Sequence, residues 1–383
     1  MIETNKRCWA EINTSNIAHN VNEIRKIIPS QTKIMGIVKA NAYGHGDVSM
    51  CKELLKSGVD FFGVACMEEA LRLRQAHIQE RILILGYTPK EQFHYLHEQN
   101  LIQTLISMDF AKELSDYACL NDVEIQCHVK VDTGMSRLGV QCKKEQWDIE
   151  DVKRMYHLPH IRVQGIFSHF SVSDDITHQE NLTFTNHQIA LFDLVLQQLK
   201  QAGIEPGITH LQNSYGILNY PHLSYDYVRP GLLHLGVTSD DALATIAKPD
   251  FRPVMTWKAS ISYVKWIEAG CDVSYGRTYT AKERIKVATV CVGYADGYPR
   301  MVSNMHKHVL IHGQRAEIIG RICMDQMMID VSAITDVKTG DEVVLFGYDN
   351  DVLLSVDELS RACHTINNET LCWLSERVQR IYR

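Results

Sequence analysis

Several absences bound this chain before any residue is singled out. It lacks a long apolar run: nothing approaches the roughly 18 residues that a bilayer-spanning helix needs. The opening Met1–Lys6 is polar, so no secretory leader is expected in it. It lacks an excess of positive charge. The formal net charge of -7 offers no attraction for nucleic acid or an anionic membrane surface. It lacks a cysteine framework. Its 11 cysteines are scattered from Cys8 to Cys372 with no C-x-x-C pair. An odd count without regular spacing points to free thiols in a reducing compartment, most of them small buried apolar residues. No metal site is expected, and a cytoplasmic location is. There is no G-x-G-x-x-G after a strand, no internal repeat and no low-complexity segment.

What is present is enough for a large core. The chain has 383 residues, 45% of them hydrophobic, and fits about two domains at roughly 150 residues each. The first two thirds alternate short β-branched runs with longer stretches that are apolar every third or fourth residue, the marks of buried strands and helices. Strands are expected at Lys33–Lys39, Phe61–Ala65, Arg81–Gly86, Ile102–Ile106, Val123–Val131, Ile161–Phe167, Ile208–Leu211 and from Tyr227 to Arg229. Helices are expected after Asp47 as N-cap, around Met67–Ala76 and over His187–Ala202. Eight strands separated by helices predict a parallel (β/α)8 barrel of the TIM type, with a doubly wound open sheet as the runner-up.

The character changes near Ser239–Pro253. Short alternating strands follow at Val254–Tyr263, Ile285–Val292, His308–Ile311, Glu317–Ile322, Met327–Val331 and Glu342–Phe346, with Gly313 and Gly340 among the turns. This predicts a C-terminal, mostly-β domain. Ser355 and Glu358 form a capping-box pattern for one late helix. The expected division is residues 1–12 as an N-terminal strand, 13–240 as the barrel and 241–383 as the β domain.

Chemistry-bearing residues gather at strand ends. Lys39 follows Ile37 and Val38 and precedes Ala40-Asn41-Ala42-Tyr43-Gly44-His45-Gly46. Barrel active sites form at that face. Desolvation lowers an amine's pKa, and a neutral amine attacks aldehydes. Snorkelling from the strand end is the plainer reading. Lys130 lies in His128-Val129-Lys130-Val131-Asp132-Thr133-Gly134, where a buried cation is costly unless paired or neutralised. An ion pair with Asp132 is the plain alternative. Arg137 follows in the loop, with a fork suited to a carboxylate or phenolate. His169 ends the sixth strand, Asn213 and Ser214 follow the seventh, and Arg229-Pro230-Gly231 close the eighth. Ser214 and the amides near Gly231 fall where barrels often hold a phosphate. In the second domain, Ser274–Tyr279, Gly293–Tyr298 and Gly320–Gln326 are glycine-rich loops, four of whose residues are tyrosines. They either pack turns or supply a tyrosine acid/base.

The stretches V-K-A-N-A-Y-G-H-G, K-V-D-T-G-M-S-R-L-G, S-Y-G-x-T-Y and G-R-I-C-M-D-Q together resemble the alanine racemase family of fold-type III pyridoxal 5'-phosphate (PLP) enzymes. The resemblance runs from Cys8 nearly to Arg380. It implies PLP bound as a Schiff base to Lys39, which is also one of two acid/base catalysts. It implies Tyr275 as the other, reaching over from the partner subunit of a head-to-tail homodimer. Arg229 matches the residue at the pyridine nitrogen, which an arginine keeps unprotonated. His169 matches a link between Arg229 and Tyr275, and Arg137 one that positions the substrate carboxylate. Lys130 matches a lysine often carbamylated. Tyr43, Ser214, Gly231 and Leu232 match phosphate binders. Tyr294, Met324 and Asp325 match the substrate entrance and carboxylate site. The N-terminal stretch with Trp9 pairs into the β domain in this family.

One position departs from the pattern. In Thr365-Ile366-Asn367-Asn368-Glu369 the family usually has a tyrosine where Asn368 stands, reaching the phosphate and crowding the substrate's β-carbon. Asparagine is smaller and offers both donor and acceptor. It leaves room for a β-hydroxyl, hence serine beside alanine, or it merely loosens phosphate binding. In this the chain looks like the racemase domain of vancomycin-resistance serine racemases, which follows a membrane domain. It then corresponds to the cytoplasmic part, making D-amino acid for cell-wall precursors. A strict alanine racemase, a PLP-dependent decarboxylase and a non-catalytic PLP-binding protein are the competing readings. The decarboxylase favours a carboxylate at the ring nitrogen, and the binding protein is typically a lone barrel.

Overall fold

The computed structural model describes residues 7–143, 147–305 and 307–383. Residues 1–6 of the expected N-terminal strand lie outside them. The chain divides into two units: Ile17–Ala42 with Gly46–Phe251, and the described part of Met1–Asn16 with Tyr43–His45 and Arg252–Arg383.

The first unit is a parallel barrel. All eight expected strands appear, at Lys33–Ile34 with Gly36–Ile37, then Phe61–Val64, Arg81–Ile84, Ile102–Leu105, Ile125–Asp132, Ile161–Phe167, Ile208–His210 and Tyr227–Val228. Met35 interrupts the first, so nine short strands make eight staves. Neighbours pair in parallel all the way round, and Tyr227 and Val228 return to Lys33 and Ile34 to close the ring. The runner-up open sheet is thereby excluded. Phe61–Val64 and Ile102–Leu105 are buried at every position. Phe61–Val64 is apolar throughout, as expected of a strand covered on both faces, whereas Ile102–Leu105 carries the buried Gln103 and Thr104 between its aliphatic ends.

The helices depart more. Asp47 opens the helix Asp47–Lys56 but does not cap it. Gly46 is the N-cap residue. The Asn41 side chain accepts the Asp47 amide at 3.0 Å, while the Asp47 carboxylate takes Arg72 Nε at 2.7 Å. The helix expected from His187 starts earlier, as Gln179–Gln201. Its first turns are mostly polar, so apolar periodicity could not reveal them. No helix among the described residues is long and apolar enough to cross a membrane.

The second unit centres on one sheet. The long strand Met255–Ile267 pairs with Cys8–Ile12, Ile285–Val290 and Glu342–Asp349, all antiparallel. Cys8–Ile12 also runs parallel to Gln379–Tyr382. Met255–Ile267 outlasts its expected end at Tyr263. The register shifts between Ile261 and Tyr263, and such a bulge breaks the alternation a sequence reader follows. Trp257 packs on Tyr298 and Phe346, each pair of ring centres 5.7 Å apart. The strand expected at Glu317–Ile322 is Gln314–Ile319. His312 and Gly313, at φ 50° and 73°, make a two-residue hairpin that lets it begin at once. Ser355 caps Val356–Ala362 by accepting the Asp357 amide. Glu358 closes no box there, because Arg315 holds it with bonds of 2.8 Å from both terminal nitrogens.

Candidate active site

Lys39 sits half-buried at the carboxyl end of the first stave. The chain behind it is wound left-handed: Ala40, Asn41, Ala42 and Tyr43 have φ of 52°, 54°, 50° and 51°. Left-handed winding costs non-glycine residues roughly 1–2 kcal/mol each, so the neighbours must hold it. The Ala42 amide donates to the Val38 carbonyl at 2.9 Å, and the Gly46 amide to the Asn41 carbonyl at 2.9 Å. The Glu69 carboxylate accepts the Ala40 amide at 2.6 Å and the Ala65 amide at 2.7 Å. At Gly44 (φ 80°) an added Cβ would lie 2.2 Å from the Leu371 carbonyl oxygen, so only glycine fits. Tyr43 is buried.

Arg229, at the end of the eighth stave, is buried in a cage of acceptors. Nη2 donates to the carbonyls of Ser168 (2.8 Å) and Leu211 (2.9 Å) and to His169 Nδ1 (3.0 Å). Nη1 donates to His210 Nδ1 at 2.7 Å. Nε makes no hydrogen bond among the described residues. Burial, then the nearby Arg137, pushes this guanidinium down to about 9, so it is still a cation at neutral pH. His169 is held well below the ordinary histidine range by burial, then by Arg229 and the charges of Lys130, Arg137 and Lys39. Because Arg229 donates to its Nδ1, its proton sits on Nε2.

Lys130 is buried, and its amine lies 5.1 Å from the centre of the Phe167 ring. Burial, then Arg229, lowers its pKa well below the usual lysine range. Its hydrogen bond is to the Val131 carbonyl at 3.1 Å. The ion pair with Asp132 does not form. That carboxylate accepts the amides of Gly134 (2.9 Å) and Ser136 (3.0 Å) and pairs with Lys143 at 3.3 Å. Arg137 is exposed and has no hydrogen-bond or ion-pair partner among the described residues.

After the seventh and eighth staves, Asn213 caps the short helix Ser214–Asn219 through the Gly216 amide. Ser214 Oγ accepts the Gly231 amide at 3.2 Å. The hydroxyl proton of Ser214 is therefore left to donate, beside the buried Leu232.

The second unit assembles its own cluster. Tyr275 is 69% exposed. It follows Ser274, whose φ is 68° and whose hydroxyl donates to the Arg321 carbonyl. The amides of Tyr294 and Ala295 donate to the carbonyls of Cys323 (3.1 Å) and Met324 (3.0 Å). This ties the Tyr294 loop to the loop that carries Met324. An open groove of about 520 Å³ is lined by Ser274, Tyr275, Cys323, Met324, Asp325 and Gln326. Asp325 is not a loose carboxylate: Arg377 holds it at 2.7 Å. Asn368 is half-buried in the helix Asn367–Cys372. Its neighbour Asn367 is the structural one, bonded to Asp357 and Ser360 at 2.7 Å each.

Comparison with known proteins agrees with this geometry. The family profile "Alanine racemase, N-terminal domain" matches residues 12–239, and "Alanine racemase, C-terminal domain" matches 254–382. The chain belongs to the alanine racemase family. Membership makes it a PLP-dependent amino-acid racemase, an isomerase. It is 42% identical over 373 residues to the "Amino-acid racemase" of Enterococcus faecalis, covering 97% of this chain and 51% of that protein. The chain thus spans about half the length of that relative. It is 39% identical to "Alanine racemase 2" of Caldanaerobacter subterraneus subsp. tengcongensis, covering 97% of this chain and 94% of that one. The solved alanine racemase of Clostridium difficile 630 superposes with a TM-score of 0.92 at 35% identity, covering 100% of this chain and 97% of that one.

The barrel residues of this family member fit PLP. The buried Arg229 keeps Nε for a ring acceptor, Ser214 keeps a hydroxyl proton for a phosphate, and Lys39 stands at the same strand-end face. Sequence reading missed the supports of these groups. Glu69 holds the Lys39 turn, and His210 and His128 lie behind Arg229. Gln188 takes the Ser171 amide at 3.0 Å and donates to the His169 carbonyl at 3.1 Å. Glu69 had one readable signal, an acid at the third position of a helix. The others are polar residues in buried elements whose partners lie far away in sequence.

Proposed function

We propose that this chain interconverts the L and D forms of alanine and serine by a two-base mechanism, with Lys39 at one face of the α-carbon and Tyr275 of the partner subunit at the other. The observation that carries the reading is Arg229, a buried cation surrounded by acceptors with one donor to spare. When bound, PLP supplies an electron sink that acidifies the amino acid's α-carbon. Arg229 would meet its ring nitrogen as a donor that keeps its own proton. That restrains the sink and favours returning a proton to the α-carbon over side reactions. Lys39 would hold the cofactor and exchange a proton on one side; Tyr275 would exchange one on the far side, so the configuration inverts. Ser214, Gly231, Leu232 and Tyr43 would hold the phosphate, and Arg137 the substrate carboxylate. Tyr294, Met324 and Asp325 would line the way in. His169, held neutral, would link Arg229 to the tyrosine.

Lys130 is read as a carbamate. In its neutral form, which burial favours, the amine adds to carbon dioxide, forming an N–C bond and releasing a proton, and the product is an anion for Arg137. Serine use rests on Asn368. The Caldanaerobacter and Clostridium relatives, both named for alanine, favour the narrower substrate. The product would serve as a cell-wall precursor made in the cytoplasm.

The test is solvent-deuterium exchange at the α-carbon with L-alanine and L-serine, for the wild type and for Asn368→Tyr. Both substrates exchange in the wild type, and the tyrosine lowers the serine-to-alanine ratio. No exchange with either amino acid overturns the racemase reading; an unchanged ratio overturns the role of Asn368.

A further inference from the structure

We infer that His210, seated on His128, is a positioning residue that sets the plane in which Arg229 presents its Nε. The inference rests on the proposed role of Arg229 toward the cofactor ring. The polarity of the chain behind Arg229 admits one solution. A guanidinium only donates, so His210 Nδ1 must accept the 2.7 Å bond from Nη1. A neutral imidazole has a single N–H, which then lies on His210 Nε2 and donates to His128 Nδ1 at 3.0 Å. The last proton falls on His128 Nε2, which is buried and has no hydrogen-bond partner among the described residues.

Leaving a buried donor unmade is a cost that calls for a reason. The packing shows how the arrangement is kept. Phe167 stacks on His210 with ring centres 4.6 Å apart and planes 12° apart. The Phe61 and His128 ring centres are 5.9 Å apart, with planes at 83°. At Gly165 a Cβ would lie 2.7 Å from His128 Cε1, so glycine there makes room for the ring. Reversing His210 would set its N–H against that of Arg229. The two Ser168 and Leu211 carbonyls and His169 hold Nη2, but His210 is the one partner of Nη1 among the described residues. That bond resists pivoting of the guanidinium about Nη2.

The holoenzyme tests this with His210→Phe, which keeps the stacking ring and loses the acceptor, and His210→Asn, whose Oδ1 falls where Nδ1 was. The Phe variant lowers kcat for L-alanine about 10- to 100-fold with KM changed less than about threefold. It also shifts the absorbance of bound PLP and weakens PLP binding. The Asn variant recovers most of each. Nitrogen-15 spectra of histidine-labelled enzyme show His210 neutral with its proton on Nε2. A His210→Phe enzyme with wild-type kcat and PLP absorbance, an Asn variant no better than Phe, or a proton on Nδ1 overturns the inference. Arg229→Gln separates the two ideas. If it too leaves kcat and absorbance unchanged, the proposed role of Arg229 falls. If it alone changes them, only the role of His210 falls.

Discussion

Single residues in this barrel are kept out of their ordinary protonation states by their surroundings. Burial, then Arg81 and Arg229, pushes His128 down to about 3. Burial and Arg229 hold His210 well below the usual range. In the unfolded chain both return to about 6.5. Below that pH the unfolded state binds protons the native state refuses, so stability is present above it and is lost as pH falls toward 3. The slope approaches about 1.4 kcal/mol per pH unit for each histidine. Urea unfolding of the holoenzyme between pH 7 and 4.5 will show this decline, and His128→Gln will remove about one proton from the slope. An unaltered slope would mean that His128 is already protonated in the native state. The sequence showed His128 and Lys130 only as polar residues in an apolar strand. It could not show that one is neutral beneath an arginine, because Arg229 lies about a hundred positions downstream.

At the scale of elements, the turn after Lys39 is the least readable feature. Val38-Lys39-Ala40-Asn41-Ala42 holds no glycine to announce left-handed winding, and alanines favour the opposite hand. Glu69, in the next helix, supplies what the local sequence lacks by fixing the Ala40 and Ala65 amides. Glu69→Ala is expected to lower kcat about tenfold or more and to speed loss of PLP on dialysis. Glu69→Gln, which keeps one oxygen acceptor, should fall between. Wild-type kcat in the Ala variant would show that the turn holds itself. By contrast the staves were readable to within a few residues, since parallel strands buried on both faces, such as Phe61–Val64 and Arg81–Ile84, are dominated by apolar residues.

The whole molecule poses the question of the second base. Tyr275 stands largely exposed on a loop of the second unit, which suits a side chain offered to another subunit. Mixing a Lys39→Ala enzyme with a Tyr275→Phe enzyme tests it, because an exchanged dimer with shared sites regains one intact site of its two. Unfolding both together and refolding should restore about a quarter of wild-type activity in a twofold dimer. No recovery, with dimers formed, would place both bases in one chain. Mass spectrometry in bicarbonate will in turn show whether Lys130 takes up carbon dioxide; a mass that does not change on acid treatment would rule the carbamate out. The sequence by itself determined the barrel, the β unit and the list of reactive side chains, because each is written in local periodicity or in an unbroken motif. Tertiary structure alone decided how those side chains are tuned. The hand of the Lys39 turn, the acceptor cage of Arg229 and the stranding of Lys130 from Asp132 all depend on groups brought together from distant segments. Burial and charge act through space and leave no mark on neighbouring letters.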